Sequence, residues 1–455
     1  MMLDRLAARI AADYAAVTPA SLAMFHRAAK VLPGGVSGNL RYFAPHPLYM
    51  RGGEGARTFD LDGRALIDCF LCNGPLLLGH RDPAIVEAIA KAAEIGPLVL
   101  NPEVLAECAE AFCNTVPAAE RVRFLNSGTE ALTAAVRYAR GYTRRTKIIK
   151  FFGHYHGQDD QFLVGASPRR EPFSNGIPGN AYADTLTLSI NDPAALQAAI
   201  AAHPGEIAAV VLDAAMHSGG LWGVDGPFLH WLREFTRAEG IVLILDEVIT
   251  GFRLAPGGAQ ELYGIRPDLC TFAKALGAGE RLAAVGGSAE VMQVVDPLAR
   301  DPARRVFQSG TGNDSTAGLL AATAAMRVYR QLGAAGRYAE LDALGAALAA
   351  GLVAAFSQQG LPLHVNQRGA MLQLFLSGHD PDFVRFYDLD QRLIDLFYLA
   401  LISRGIVLSL PTSNHIYLSF KHTAEDIAEI VDAARAVLAA YPFAEAYREL
   451  GASHV

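Results

Sequence analysis

Three short segments combine side chains that could carry out chemistry with a position at the end of an apolar, strand-like run. They are Asn126-Ser127-Gly128-Thr129-Glu130-Ala131, Asp246-Glu247-Val248, and Lys274 with the residues that follow it. In open parallel sheets, ligands bind beyond the carboxyl ends of the strands. We therefore expect the three segments to meet at one site.

The first segment is a candidate for binding phosphate. A small turn with hydroxyl groups that opens a helix offers backbone N–H groups and the positive end of the helix dipole. The alternative is an ordinary N-cap, in which Ser127 or Thr129 accepts a bond from the first helical turn and nothing else is bound. The segment by itself favours this ordinary cap.

The other two segments carry ionisable groups that need partners. A carboxylate at a strand end, such as Asp246, must meet a cation, a metal or a donor, unless it is bonded to the backbone of its own loop. A lysine that ends an apolar strand, such as Lys274, is partly desolvated, which lowers its pKa and provides a neutral amine for Schiff-base chemistry. The alternative is a lysine that extends its amine to solvent.

Taken together, the phosphate turn, the strand-end aspartate and the strand-end lysine indicate a pyridoxal 5'-phosphate site. The lysine would form a Schiff base with the cofactor, and the turn would hold its phosphate. The aspartate would keep the pyridine nitrogen protonated, so that the ring can accept electrons.

The elements that must position these residues follow from the hydrophobic pattern. Helices alternate with short apolar strands from about residue 84 to 320, which predicts a mostly parallel sheet covered on both faces. Ala-rich helices, strands at 371–376 and 416–419 and a last helix at 424–438 predict a second α+β domain. At the N-terminus, Leu3, Leu6, Ile10 and Tyr14 predict one face of a helix, and the segments 48–50 and 58–61 predict a small β meander.

Composition excludes several classes of function. The chain has 455 residues, 51% hydrophobic and 19% charged, which is more than one core usually serves. Its 39 Lys+Arg and 46 Asp+Glu give a net charge of −7, which disfavours binding to nucleic acid or an anionic membrane. The odd count of five cysteines favours a reducing, cytoplasmic location. Cys69 and Cys72 form a single CxxC pair, and because no second pair has zinc spacing, we predict no metal site. No run reaches the roughly 18 apolar residues of a membrane helix, and charged residues near the start disfavour a signal peptide.

The chain resembles the class III aminotransferases, most closely the glutamate-1-semialdehyde aminomutase branch. The resemblance covers nearly the whole sequence. Beyond the three segments it rests on five further motifs: Gly34-Gly35-Val36 with Arg41, Arg140-Gly141-Tyr142-Thr143, Lys147 to Phe151 with Tyr155-His156-Gly157, the continuation Ile249-Thr250-Gly251-Phe252-Arg253, and Ser309-Gly310-Thr311.

The resemblance implies an α/β, fold-type I transferase with a mostly parallel large-domain sheet, helices on both of its faces, and a smaller α+β domain built from both chain ends. It implies a small-domain segment at 1–59, the large cofactor-binding domain at 60–330 and the rest of the small domain at 331–455. It also implies a homodimer with shared active sites.

The same resemblance implies a role for each site residue. Lys274 would form the Schiff base and move the proton, Asp246 would pair with the pyridine nitrogen, and Tyr155 would stack on the ring opposite Val248. The phosphate ligands would be Ser127, Gly128 and Thr129, together with Gly310 and Thr311 from the partner subunit. Arg41 would bind the substrate carboxylate, a task that suits a guanidinium group.

Four positions depart from the family where substrate is expected. Asp213-Ala214 replaces the usual Glu-Pro, Asn73 replaces a common Trp, and Glu280-Arg281 adds two charges after Lys274. The aminomutase branch also has a glutamate in a segment that here reads Pro411-Thr412-Ser413-Asn414-His415. Asn73 and Asp213 are therefore predicted to contact the substrate, and the missing glutamate disfavours glutamate 1-semialdehyde as that substrate.

The sequence thus predicts a transaminase that moves an amino group from an amino acid or amine donor to an oxo acid or aldehyde. An intramolecular aminomutase is the first alternative, and a racemase or epimerase that uses the same lysine is the second. A regulator that binds the cofactor without catalysis is disfavoured, because Lys274, Asp246 and Tyr155 are all present and no basic or helix-turn-helix segment is appended.

Overall fold

The chain forms two compact units in a computed structural model that describes residues 2–166, 171–299, 305–378, 382 and 388–452. One unit is residues 83–338, called here the central unit, and the other combines residues 1–82 with 339–455, called here the terminal unit. The sequence predicts domain boundaries at 59/60 and 330/331. The residues from 60 to 82 group with the chain ends because the strand Ala65–Asp68 pairs with Ile406–Val407.

The described strands and helices have the following bounds. The strands are β1 (Met50–Glu54), β2 (Arg57–Asp60), β3 (Ala65–Asp68), β4 (Arg121–Leu125), β5 (Lys147–Phe151), β6 (Thr185–Leu188), β7 (Ile207–Leu212), β8 (Val242–Asp246), β9 (Leu269–Phe272), β10 (Ala283–Gly287), β11 (Leu363–Arg368), β12 (Met371–Leu376), β13 (Ile406–Val407) and β14 (Ile416–Tyr417). The helices are α1 (Met2–Val17), α2 (Pro19–Ala28), α3 (Pro83–Ile95), α4 (Glu103–Thr115), α5 (Gly128–Thr143), α6 (Pro193–Ala202), α7 (Gly226–Ala238), α8 (Ala259–Tyr263), α9 (Ala289–Met292), α10 (Thr316–Ala334), α11 (Arg337–Ser357), α12 (Arg392–Ser403), α13 (Ala424–Ala440) and α14 (Phe443–Ala452).

A seven-stranded sheet forms the core of the central unit and confirms the predicted α/β class. Its strand order is β4-β10-β9-β8-β7-β5-β6. All neighbours are parallel except at β10, which runs antiparallel to both β4 and β9. Every residue of β7 and β8 is buried, as expected for strands that are covered on both faces.

Strand β10 is an element that the sequence reading missed. Its sequence, Ala283-Ala284-Val285-Gly286-Gly287, is poor in the β-branched and aromatic residues that usually signal a strand. Gly286 is required by close packing, because a Cβ atom there would lie 2.7 Å from the ring of Phe112. The strand therefore forms through tertiary packing rather than through local preference.

The terminal unit contains two small sheets, with orders β1-β2-β3-β13 and β11-β12-β14. The helix predicted at the N-terminus is α1, and it buries Leu6, Ile10 and Tyr14, whereas Leu3 is only partly buried. Among the described residues one helix, α11, is long and apolar enough to cross a membrane. It is a partly buried core helix, because Leu348, Leu352 and Phe356 are fully buried along its length.

Replacement of Leu269 by Ala in β9 is expected to lower the free energy of unfolding by about 2–5 kcal/mol, because this side chain lies fully buried in the sheet core. The matched control is Leu262→Ala in α8, where the side chain is 55% exposed and the expected change is within about 0.5 kcal/mol. Denaturant titration of both variants measures the difference. Equal losses would contradict the packing assigned to the central sheet.

Candidate active site

The chemistry of the site centres on Asp246 and Lys274, which neighbouring parallel strands carry to the same edge of the sheet. Asp246 is the last residue of β8 and pairs in register with Thr271 of β9, three residues before Lys274. Lys274 has a left-handed backbone, with φ of 44°. Burial lowers its pKa to about 8, although the negative charge of Asp246 opposes this shift. A partly neutral amine therefore lies within the electrostatic reach of a carboxylate.

Asp246 is 4% exposed and is held by three donors. Its Oδ1 accepts the N–H of Val248 over 3.0 Å and the hydroxyl of Thr271 over 3.3 Å, and its Oδ2 lies 2.7 Å from Nδ1 of His156. Burial nevertheless raises its pKa to about 7, while the Val248 N–H and the Lys274 charge act to lower it. A carboxylate in this state is stabilised by a further cation, such as a protonated ring nitrogen.

Glu247, the residue after Asp246, stabilises the fold. Its carboxylate is fully buried and accepts the N–H groups of Ala259 and Gln260 at the start of α8, at 2.8 and 2.9 Å. Its carboxylate would lie 2.6–2.8 Å from a Cβ atom at Gly258, where φ is +83°. The two adjacent acids thus have different tasks, and only Asp246 belongs to the site.

The predicted phosphate turn opens α5, a 16-residue helix. Ser127 is its N-cap and accepts the N–H of Glu130 over 3.3 Å, so the ordinary capping role is present. The turn also adjoins the other two segments, because a Cβ atom on Gly128 would lie 3.0 Å from both methyl groups of Val248 and 3.7 Å from Cβ of Ala273. Glycine at this position keeps the backbone open at the positive end of the helix dipole.

The loop after β5 brings Tyr155 to the same turn. The hydroxyl of Thr129 accepts the N–H of Gln158 over 3.2 Å, and a Cβ atom on Gly157 would lie 2.5 Å from the same oxygen. Tyr155 is 44% exposed, which leaves its ring available to a ligand. Val248 is half-buried and packs on the core. Their predicted stacking on two faces of one ring remains a prediction.

Sequence reasoning missed a role for the histidines on either side of Tyr155. Both His154 and His156 are 1% exposed. Nδ1 of His156 contacts Asp246, and Nδ1 of His154 accepts the N–H of Asp213 over 3.0 Å. The available signal was the need of a buried strand-end carboxylate for a donor, which the neighbouring histidines could have met.

The carboxylate of Asp213 is bonded mainly to its own turn. Its oxygens accept the N–H groups of Ala215 and His217 at 2.9 and 3.0 Å. Burial, together with the charge of Asp246, raises its pKa to about 7. Asp213 therefore lies within the electrostatic reach of Asp246 and Lys274, and its contact with substrate stays a prediction.

The loop with Gly310 and Thr311 lies beside the phosphate turn of its own chain. Oδ1 of Asn313 accepts the Asn126 amide over 2.8 Å, and Gly310 and Thr311 are exposed. Phe307 and Leu100 of the central unit are exposed apolar side chains, at 81% and 91%. The contact of Thr311 with a partner's cofactor remains a prediction.

In the terminal unit, Arg41 and Asn73 come together around the segment 411–417. The hydroxyl of Thr412 donates to the backbone oxygens of Leu40 and Tyr42, on both sides of Arg41. Oδ1 of Asn73 lies 3.2 Å from Nδ1 of His415 and 3.2 Å from the Tyr417 hydroxyl. The two substrate residues predicted from distant parts of the chain therefore share one neighbourhood.

Asn73 sits in a strained turn. Leu71, Cys72, Asn73 and Gly74 all have positive φ, between 49° and 103°. Such runs are uncommon and occur often at functional sites. In the same region Asn414 pairs with the backbone of Leu374 through both its amide oxygen and its amide nitrogen. The side chain of Asn414 is thus committed to strand β12.

The charges of Glu280 and Arg281 follow Lys274, with Glu280 half-buried and Arg281 exposed.

Within the described residues no group of three or more His, Cys, Asp or Glu side chains could hold a metal. The site residues do fit pyridoxal phosphate: a helix N-terminus with an open glycine suits its phosphate, a buried carboxylate suits its ring nitrogen, and a desolvated lysine suits its aldehyde.

A mostly parallel sheet with these three groups at one edge defines a pyridoxal phosphate enzyme of fold type I. Comparison with known proteins gives the family. The profile of the family described as aminotransferase class-III matches residues 42–435. The chain belongs to this family, is an enzyme, and uses pyridoxal phosphate as its cofactor.

Named relatives lie in more than one branch. The chain is 41% identical to a glutamate-1-semialdehyde 2,1-aminomutase of Sorangium cellulosum, over 93% of this chain and 97% of that protein. A crystal structure of an omega-transaminase from Sphaerobacter thermophilus is 35% identical, with a TM-score of 0.84, 92% of this chain and 97% of that chain covered. A transaminase with pyridoxal phosphate bound is 32% identical, with a TM-score of 0.84 and coverage of 93% and 98%. The predicted resemblance and fold type are thereby confirmed.

Lys150 lies on β5, shortly before His154 in the sequence, and gives a prediction for the pH dependence of stability in the cofactor-free protein. Its amine is fully buried against the backbone oxygens of Phe162 and Val164, at 2.8 and 2.7 Å, and burial lowers its pKa to about 7. The unfolded chain therefore binds this proton more strongly between pH 7 and 10.5, so the stability contributed through Lys150 rises with pH over that window, by up to about 1.4 kcal/mol per pH unit.

Lys150→Met is expected to remove this rise, whereas the control Lys147→Met, at a half-buried lysine paired with Asp184 and Glu206, is expected to keep it. The free energy of unfolding of the three proteins at several pH values from 7 to 10 provides the measurement. A parallel pH dependence of the Lys150 variant and the parent would contradict the lowered pKa.

Proposed function

We propose that this protein is an intermolecular transaminase that takes an amino group from an amino acid or amine and gives it to an oxo acid or aldehyde. The observation that carries the proposal is that Asp246, Lys274 and the Gly128 turn meet at one edge of the sheet. The altered substrate region around Asn73 supports it. Bound pyridoxal phosphate supplies an electron sink for the chemistry at the amino carbon.

Each residue has a proposed task toward the cofactor. Lys274 would hold it through a Schiff base and move the proton, while Asp246 would pair with its ring nitrogen. The N–H groups of Gly128 and Thr129 would face its phosphate with Ser127, and Tyr155 and Val248 would contact its ring. Gly310 and Thr311 would serve the cofactor of a partner subunit in a homodimer, which their exposure supports.

Arg41 and Asn73 are proposed to contact the substrate. The Arg41 guanidinium would bind a carboxylate, and its charge acts on the nearby Cys72 thiol to lower a pKa that burial raises. Asn73 replaces an aromatic side chain by an amide whose oxygen is already held by His415 and Tyr417. Asp213 is also proposed to contact the substrate. We also propose a cytoplasmic location, which the odd count of five cysteines supports.

The intramolecular aminomutase is the second candidate. It is favoured by the 41% identity to a named aminomutase, and the names of the curated relatives support it more than they support intermolecular transfer. Against it stands Asn414, whose amide is bonded to strand β12 in the segment where the aminomutase branch has a glutamate. A racemase or epimerase is the third reaction that the same lysine could perform.

The purified enzyme is expected to lose its yellow colour on addition of a single amino donor and to regain it on addition of an oxo acid. The two half-reactions of a transaminase use separate substrates, so the donor alone would bring about the first spectral change and the oxo acid the second. Visible spectra with single donors of both hands, without acceptor, provide the test. If glutamate 1-semialdehyde alone turns over and no donor alters the spectrum, the aminomutase replaces the transaminase.

Lys274→Ala is expected to reduce transfer by at least about 10³-fold, because the residue acts as nucleophile and proton carrier. Asp246→Asn is expected to reduce it by about 10²-fold or more, since a neutral amide cannot stabilise a protonated ring nitrogen. The control is Asp184→Asn, at a carboxylate that is exposed and pairs with Lys147. Rates within threefold of the parent for Asp246→Asn would refute its assignment.

A further inference from the structure

His154 and His156 each carry a buried nitrogen that the described residues leave without a hydrogen bond. Their rings are neighbours, with centroids 5.8 Å apart and planes at 52°. Nε2 of each ring has no partner among the parts of the chain that the structure describes. Because buried polar atoms are nearly always hydrogen-bonded, these two atoms need a partner that is not one of these side chains.

The bonds at Nδ1 assign the tautomer of each ring. The ionised Asp246 carboxylate can only accept, so Nδ1 of His156 donates to it and Nε2 of His156 is left as an acceptor. The N–H of Asp213 donates to Nδ1 of His154, so the ring hydrogen of His154 lies on Nε2. One buried donor and one buried acceptor therefore lie on adjacent rings.

We propose that one ordered water molecule bridges Nε2 of His154 and Nε2 of His156, and that His154 is thereby a positioning residue for Asp246. The water accepts from His154 and donates to His156. The resulting chain runs from the Asp213 N–H through both rings to the Asp246 carboxylate. It holds His156 in the tautomer that donates to Asp246, and the inference rests on the proposed pairing of Asp246 with the cofactor nitrogen.

The surrounding charges favour the same arrangement. Burial holds the pKa of both histidines well below the usual range, and the charge of Lys150 lowers both further. His156 also lowers the pKa of His154. Two other charged groups interact with Asp246. The charge of Lys274 lowers the pKa of Asp246, and the charge of Asp246 raises the pKa of Asp213. Neutral rings are required for the bridge, because a doubly protonated His156 has no acceptor to offer the water.

Two substitutions at His154 separate the bridge from the contact that the structure already shows. The amide oxygen of Asn takes the place of Nδ1, so His154→Asn keeps an acceptor for the Asp213 N–H and loses the distal donor. The amide nitrogen of Gln reaches the place of Nε2, so His154→Gln keeps the distal donor. Only the bridge predicts that the Gln variant behaves like the parent.

The measurement is the dissociation constant of pyridoxal phosphate, from absorbance titration of the cofactor-free protein, with the Tm of each cofactor-free variant as a folding control. His154→Asn is expected to bind the cofactor about tenfold more weakly, and His154→Gln within about threefold of the parent. A high-resolution crystal structure is expected to show a water within hydrogen-bond distance of both Nε2 atoms.

Tight binding by His154→Asn with weak binding by His154→Gln would overturn the inference, and so would equal losses in both variants, which indicate packing alone. A dry contact between the two rings in the crystal would also overturn it. Asp246→Asn separates this failure from that of the proposed function. If Asp246→Asn binds cofactor like the parent, the assignment of Asp246 is wrong whatever the His154 variants show.

Discussion

The burial of Asp246 at the end of β8 is the constraint on which the rest of the site depends. A carboxylate in this position is costly unless donors and a cation compensate it. The structure supplies the Val248 N–H, the Thr271 hydroxyl, His156 and the nearby Lys274 amine. The same burial lowers the pKa of Lys274, so the features that make each group reactive arise from one shared environment.

Asp246 and Glu247 are adjacent at the end of β8, but Asp246 belongs to the site and Glu247 stabilises the fold. Asp246 turns toward the lysine, and Glu247 turns to the start of α8, where it accepts two backbone N–H groups. Gly128 and Gly157 have a related task, since a Cβ atom at either position would press on Val248 or Thr129. The site is thus assembled by close backbone approach as much as by its reactive side chains.

The sequence predicts most of the fold because its strands are apolar and its helices are regular, and the runs around Leu125, Leu212 and Leu245 coincide with observed strands. Strand β10 escaped prediction because Ala and Gly carry no local strand signal. In the site, Lys274 and Asp246 were visible from their strand ends. The contacts of His154 and His156 were not, because they depend on which loops meet after folding.

The position of the antiparallel strand β10 in the sequence determines when β4 can pair during synthesis. Among the described strands, β4, which leads into the phosphate turn, pairs with β10 alone, and β10 ends at Gly287. During synthesis β4 therefore stays unpaired until more than half of the chain has been added. Long-range pairing of this kind folds slowly and exposes a strand edge to aggregation. A nascent chain that stops before residue 283 would therefore lack the strand that pairs with β4, next to the phosphate turn.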